Sequence, residues 1–467
     1  MRSALYLALS LVVVAGCSSG GKTTPYKWEL PDTLPLPVVP KDNPMTVEKV
    51  ALGRYLFYEK RLSANQSYAC SNCHQQRNAF TDGRPAPVGS TGDELPRNTM
   101  PLINAAYMSM FMWANPLLTS LEEQIMVPMF SDAPVEMGMG EYTDEILARL
   151  SRDDNYQQMF KAAYPDDKDP FTLKNVMYAI TTFERTMLSA SSPYDKYQAG
   201  DTTAMSDSAI RGMNAFNTEK FDCYHCHAGT TFTTSFQSAN TPPPPRDMRN
   251  TGLYNIGGTG AYPPNNTGLF DFTQFSNDMG KFKVPTLRNV ELTAPYFHDG
   301  SAATLEEVLE SYAHGGRVIA SGPYAGDGSM SVHRDPLVKG FDMSPDEEAD
   351  MVAFLKSLTD TDFVNDPKYA NPSCPDDLPS SCPGTVPSYA TDVAPIVNGV
   401  CAAMCHAPGG IAQNRPLGDY NGLFALKDAV LNQVSVCNMP PADANPQLGE
   451  ADRSTLLAWI VCGAPNN

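Results

Sequence analysis

Two short runs in this chain carry recognisable chemistry: Cys70-Ser71-Asn72-Cys73-His74 and Cys223-Tyr224-His225-Cys226-His227. Each has the C-x-x-C-H spacing at which two thiols form thioethers to the vinyl groups of a haem while the following His ligates the iron from one side. A single CxxC serves equally well as a redox dithiol or half of a zinc site. Two complete pentapeptides make two covalently held haems the expectation. His225 lies inside the second run, but the attachment geometry selects His227 as the ligand.

Helices must hold these runs in place, and the periodicity predicts them. One is expected from Thr46 to Tyr58, with Val47, Val50, Ala51 and Tyr55 packing one face beside the first haem. Leu173, Val176, Met177, Ile180, Phe183 and Met187 form a second apolar stripe, and a short helical stretch near Ile210 to Asn217 precedes the second motif. The capping box Thr304-Leu305-Glu306-Glu307 opens a helix on which Leu305, Val308, Leu309 and Tyr312 share a face. Another helix begins at Ser344-Pro345-Asp346-Glu347, with Met351, Phe354, Leu355 and Leu358 inward. Between them, 81–97 and 231–280 are rich in Gly, Pro, Thr and Asn and read as loops, the longer one wrapping a haem. The fold class is mainly α with extensive loop.

The chain has 467 residues, 42% of them hydrophobic, and a net charge of −19. That balance argues against nucleic-acid binding and against a polybasic membrane patch. No internal segment reaches the roughly 18 apolar residues of a membrane span. Arg2 and the apolar run from Ala4 to Ala15, ending in Val14-Ala15-Gly16-Cys17, look like a bacterial lipoprotein signal. Cys17 would then bear the lipid and tether the chain on the periplasmic side, the outer membrane being favoured; a plain secretory peptide is the alternative. Residues 18–44 follow as tether and Pro-rich extended chain. Of eleven Cys, one is assigned to lipid and four to the two haems, which leaves Cys374, Cys382, Cys401, Cys405, Cys437 and Cys462. Outside the cytoplasm such thiols are expected in disulfides unless they have another task.

The two motifs, together with Lys283-Val284-Pro285-Thr286-Leu287-Arg288-Asn289-Val290 and Pro295-Tyr296-Phe297-His298-Asp299-Gly300, resemble the bacterial di-haem cytochrome c peroxidase superfamily over roughly residues 45–362. The resemblance implies two cytochrome c-like haem domains, 45–200 (peroxidatic) and 201–343, with helix 344–364 packing back on them. The nearer likeness is to the branch containing MauG and MbnH, which oxidise residues of a partner protein. Two departures from ordinary peroxidases point there. No His occurs between His74 and His225, so the distal His those enzymes carry is missing and the first haem is expected to stay open to peroxide. Fourteen residues beyond His298, where the family's electron-entry haem takes a Met, stands Tyr312. A phenolate oxygen is a harder donor than a thioether and favours the higher oxidation states of iron. His314 is the rival ligand.

The same resemblance carries further roles. Trp113 matches the Trp between the haems and Glu136 the distal acid that shuttles the peroxide proton. Gln124 and Pro128 match other distal-pocket positions. Asn98, Thr293 and Pro295 match an inter-haem calcium site of neutral oxygen ligands.

After a Pro-rich linker, 365–387, read as pinned by a local Cys374 to Cys382 disulfide, comes a tail of 388–467. There Cys401-Ala402-Ala403-Met404-Cys405-His406 is a C-x-x-x-C-H variant, and Cys437-Asn438-Met439-Pro440-Pro441 resembles the axial-Met segment of small cytochrome c domains. His406 and Met439 would ligate a third haem, leaving Cys437 and Cys462 to pair; a plain binding module is the alternative. The expected function is an exported multi-haem oxidoreductase. It would use hydrogen peroxide at the open haem and pass oxidising equivalents to the second for long-range oxidation of a protein partner, with MbnH pointing to an MbnP-like, copper-associated one. The alternative is a cytochrome c peroxidase reducing peroxide to water with electrons from a cytochrome donor. An electron carrier, from a different class, would need six-coordinate haems.

Overall fold

The computed structural model describes residues 22–373, 382, 385–402, 406, 416–434 and 448–467. Cys17, the Ala4 to Ala15 run, Cys374, Cys405, Cys437 and Met439 lie outside them. None of the described helices is long and apolar enough to cross a membrane. The described chain is mainly helical, with two two-stranded ribbons.

The first half is organised by α1 (Val47–Phe57), which starts where the Thr46 hydroxyl accepts the Lys49 amide at 3.2 Å. Two helices follow, α2 (Thr143–Ser151) and α3 (Asp154–Ala163), and then α4 (Leu173–Arg185), against which α1 lies. The expected face of α1 is not the one buried. Val47 is 48% exposed, Ala51 is exposed, and Val50 and Tyr55 are partly covered, while Leu52, Gly53, Leu56 and Phe57 turn inward. The reason is Gly53. A Cβ there would lie 1.9 Å from the Ala179 carbonyl oxygen and 2.9 Å from the Phe183 Cβ, so only glycine lets the backbones approach this closely. The apolar pattern counts a glycine as nothing and so misplaces the stripe. Burial of Leu52, Leu56, Phe57 and Phe183 in this core supplies about 1.5–3 kcal/mol each.

The second half repeats the device. After α5 (Pro193–Gln198), helix α6 (Asp207–Phe216) runs up to the second CxxCH and packs on α8 (Pro345–Lys356). Gly212 sits at the crossing, where a Cβ would meet the Asp350 carbonyl at 1.9 Å and the Phe354 Cβ at 2.9 Å. In α8 the capping box is complete, with Glu347 N to Ser344 Oγ at 3.3 Å and Ser344 N to Glu347 Oε2 at 2.9 Å. In α7 (Leu305–His314) Thr304 caps the Glu307 amide, but the Glu307 carboxylate reaches the Ala303 amide instead, at 2.6 Å. Strands β1 (Met248–Arg249) and β2 (Phe282–Lys283) pair antiparallel and close the base of the long loop between them. A second ribbon, β3 (Val318–Ile319) with β4 (Gly326–Asp327), follows α7. The Arg288 guanidinium, fully buried, clasps Asp195 of α5 at 2.6 and 2.8 Å and the Thr230 carbonyl at 2.7 Å, binding the Lys283 to Val290 segment to both.

Past α8 the chain returns to the first half, where Phe363 and Tyr369 join its core and the Tyr369 hydroxyl donates to the Thr186 carbonyl at 2.6 Å. The tail has its own core, in which Val393 is buried with Leu423 of α9 (Tyr420–Ala425), Val434 of α10 (Lys427–Val434), and Leu457 and Trp459 of α11 (Glu450–Val461). Cys382 is bonded to Cys462, 80 residues away in sequence. That bridge overturns both expected pairings, Cys374 with Cys382 and Cys437 with Cys462. Spacing favoured neighbours in the chain, but the end of α11 returns to the linker.

Candidate functional site

The first pentapeptide forms one helical turn, Cys70–Cys73, opened by the Asn72 side chain accepting the Ala69 amide at 2.9 Å. His74 follows, and its Nδ1–H donates to the Phe80 carbonyl at 2.8 Å. The chain is turned back to make that bond by left-handed conformations at Ala79 (φ +50°) and Phe80 (φ +62°). Because a carbonyl can only accept, the tautomer is set and the Nε2 lone pair is left for iron. Burial pushes the imidazole down to about 4, which keeps it a neutral base.

The second site is built alike. The His227 Nδ1–H donates to the Phe232 carbonyl at 3.0 Å, and Phe232 too is left-handed, at φ +51°. Burial holds His227 down to about 4. Cys70, Cys73, Cys223 and Cys226 form no disulfide. His225, by contrast, is turned outward with its Nδ1 3.3 Å from Asp222, as the motif geometry requires.

Around His227 the fold leaves a cavity to which Cys223 and Cys226 also contribute, and α7 lines it with Leu305, Val308, Leu309 and Tyr312. Burial, followed by the Cys226 and Cys223 sulfurs, pushes the Tyr312 phenol far above its usual range, so the oxygen stays protonated until a cation takes it. The rival His314 is on the outer face, its Nε2 3.2 Å from Asp327 Oδ1. Lys283 lines this cavity as well, 5% exposed and with no carboxylate beside it among the described residues; burial pulls its ammonium down to about 7. A buried amine without a carboxylate partner, in the same cavity as two thiols and a fixed imidazole, fits a haem, whose propionates would stabilise its charged form.

On the first-haem side, burial raises the Cys70 and Cys73 thiols; Glu184 and then Glu136 add to the rise at Cys70, and Asp82 and then Glu136 at Cys73, so Glu136 is near both sulfurs. Burial alone lifts Glu136 to about 7. Its loop is held by the Ser90 amide on the Glu136 carbonyl at 2.7 Å and the Met137 amide on the Pro128 carbonyl at 2.9 Å. Gly89 touches the same loop, where a Cβ would stand 1.8 Å from the Val135 carbonyl oxygen. Gln124, one turn before Pro128, points its amide at the Met112 sulfur, 3.7 Å away.

The two sites adjoin. Phe80 anchors His74, and the next residue, Thr81, lines the second cavity together with Trp113. The Trp113 indole donates to the Asn98 carbonyl at 2.8 Å. Asn98, Thr293 and Pro295 line the same space, and because Asn98 Nδ2 is committed to the Arg84 carbonyl at 2.6 Å, its Oδ1 is free to face a cation. In the tail, the His406 amide bonds the Cys401 carbonyl at 3.1 Å. The sequence reading overlooked the two Phe carbonyls, Lys283 and the cluster around His298. The one available signal was an aromatic at nearly the same distance after each CxxCH, Phe80 and Phe232.

Residues 47–203 match the family model described as di-haem cytochrome c peroxidase. The chain is also 31% identical over 360 residues to the methylamine utilization protein MauG of Methylophilus methylotrophus, an alignment covering 76% of this chain and 94% of that protein. It therefore belongs to the di-haem cytochrome c peroxidase and MauG family, as an oxidoreductase of the peroxidase kind carrying two c-type haems. The cytochrome-c peroxidase IdrP1 of Denitromonas iodatirespirans is 33% identical, with 78% and 95% of the two chains covered. Among solved structures, the crystal structure of a MauG-like protein associated with microbial copper homeostasis superposes with a TM-score of 0.73 at 45% identity, covering 74% of this chain and 99% of that one.

Proposed function

We propose that this chain is an exported enzyme, lipid-anchored through Cys17, that uses hydrogen peroxide at the His74 site and delivers the resulting oxidising equivalents over a long range to a protein partner. When bound, the haems supply the iron that reacts with peroxide and holds those equivalents. The chain's own part begins with His74, which offers Nε2 from one side, while no His lies between it and His225 to block the other. Glu136, poised near neutrality, takes a proton from one peroxide oxygen and returns it to the departing one. Trp113 couples the two sites. Tyr312 and His227 line the same cavity, and their sharing it carries the reading, because an oxygen ligand there would support a higher oxidation state.

Asn98, Thr293 and Pro295 are the proposed calcium ligands, and Cys401, Cys405, His406 and Met439 the proposed ligand set of a third haem in a cytochrome c-like tail. A pyridine haemochrome count of three per chain is expected, and a count of two rejects the third. The copper-homeostasis association of the MauG-like structure favours a copper-associated, MbnP-like partner. Peroxide added to the ferric holoenzyme is expected to give near-infrared absorbance and Mössbauer signals from two oxidised irons, with the second lost in Tyr312→Phe. If only one iron responds, the reading fails. In that case the named activity of the IdrP1 relative, cytochrome c peroxidase, is the reading to adopt, with a cytochrome as electron donor.

A further inference from the structure

A continuous file of rings runs from the inter-haem indole to the surface. Trp113 meets His298 edge-on with centroids 6.4 Å apart, and His298 lies 6.4 Å from Tyr262. Tyr262 is 5.3 Å from Tyr254, and Tyr254 is 6.0 Å from Tyr324. His298, Tyr262 and Tyr254 are buried, at 2%, 4% and 8% exposure, whereas Tyr324, on the turn between β3 and β4, is 41% exposed. Four separate stretches of chain supply these residues. Local sequence did not bring them together; the fold did.

The file is packed tightly. Phe282 stacks on His298 at 3.6 Å and 12°, closing one side. Gly280, at φ +70°, lies so near Tyr262 that a Cβ would stand 2.2 Å from the ring. Glycine at that position is what lets the ring lie flat against the backbone.

The tyrosines differ in what receives their protons. Oxidising a phenol by one electron makes it a strong acid, so a radical rests where a base stands ready. The Tyr262 hydroxyl donates to the Asn250 amide oxygen at 2.8 Å, which cannot accept the proton outright. The Tyr254 hydroxyl donates to Asp299 Oδ2 at 2.6 Å. The Ser301 amide holds the other oxygen of that carboxylate at 3.1 Å, and the Arg317 guanidinium stands 3.9 Å from Oδ2.

We propose that Trp113, His298, Tyr262, Tyr254 and Tyr324 form the exit path for oxidising equivalents, with Tyr254 as the station where an equivalent rests and Tyr324 as the point of hand-over to an oxidisable aromatic side chain of the partner. This rests on the peroxide-driven reading above, which supplies the oxidant. One electron leaves Tyr254 along the file toward the peroxide-oxidised haem pair while its phenolic proton moves to Asp299, leaving a neutral tyrosyl radical. The radical then takes one electron, through Tyr324, from the partner, and Asp299 returns the proton. Each peroxide, reduced by two electrons and two protons to two waters, drives two such passages.

The test is freeze-quench electron paramagnetic resonance of the ferric holoenzyme after one equivalent of peroxide, with the near-infrared decay followed in parallel and samples compared at equal haem oxidation. In the wild type a tyrosyl signal is expected. It should disappear in Tyr254→Phe, which keeps the ring and the fold, and weaken severalfold in Asp299→Asn. In Tyr324→Phe the signal should persist, but oxidation of an added indole-bearing peptide should slow at least fivefold. A Tyr254→Phe protein with wild-type radical yield and wild-type decay overturns the relay. A wild type that shows the radical without the two-iron signature sinks the two-haem reading and leaves the relay standing. A wild type with neither sinks both.

Discussion

At the scale of single residues, the molecule assigns its chemistry by what each side chain is denied. His74 and His227 are denied a choice of tautomer by the carbonyls of Phe80 and Phe232, and so present a lone pair in one direction only. Glu136 is partly shielded from water, and that desolvation lifts its carboxyl to about 7. Below that pH it is the neutral acid and above it the carboxylate, and only the carboxylate can take a proton from incoming peroxide. The rate of peroxide reaction, followed by stopped-flow spectroscopy, should therefore rise as pH passes about 7 and level off above it. Glu136→Gln should lower that rate by about 10²-fold, within the range of general acid–base catalysis, and flatten its pH dependence. An unaltered pH profile in the variant would remove Glu136 from the proton path.

At the scale of elements, the two halves share one device. A helix leading to a CxxCH carries a glycine that presses on a later helix, Gly53 on Ala179 and Phe183 in α4, Gly212 on Asp350 and Phe354 in α8. In each case the touched carbonyl and the touched Phe are four residues apart, one turn of helix. Gly212→Ala should force the helices apart and lower stability by about 1–3 kcal/mol, the range for overpacked interiors, seen as a reduced unfolding midpoint in thermal denaturation. A midpoint within a degree of wild type would mean the crossing is looser than it looks. Much of the site was legible because its signals are local: the spacing of CxxCH, the stripe Leu305, Val308, Leu309 and Tyr312, and the cap at Ser344. The buried face of α1 was not, because its organising residue has no side chain and its meaning depends on a helix about 120 residues later. The ring file from Trp113 to Tyr324 was equally hidden, since none of its members follows a period.

At the scale of the whole molecule, one core lies in each of the two halves, a third holds Tyr254, Tyr262 and Phe282 beside Trp113, and a fourth lies in the tail. Arg288 on Asp195 secures the second half from inside, and the return of Phe363 and Tyr369 secures the first. Mainly helical architecture followed from periodicity, but the cysteine pairing did not, because connectivity among several thiols is not written in their spacing. The observed Cys382 to Cys462 bond encloses nearly all of the tail in a covalent loop. A single protease cut inside that loop would therefore release nothing. The two pieces should travel as one band on a denaturing gel and part only once a thiol reductant is added. Fragments that part without reductant would show the loop to be open. A tail closed in this way can be nicked and still stay on board.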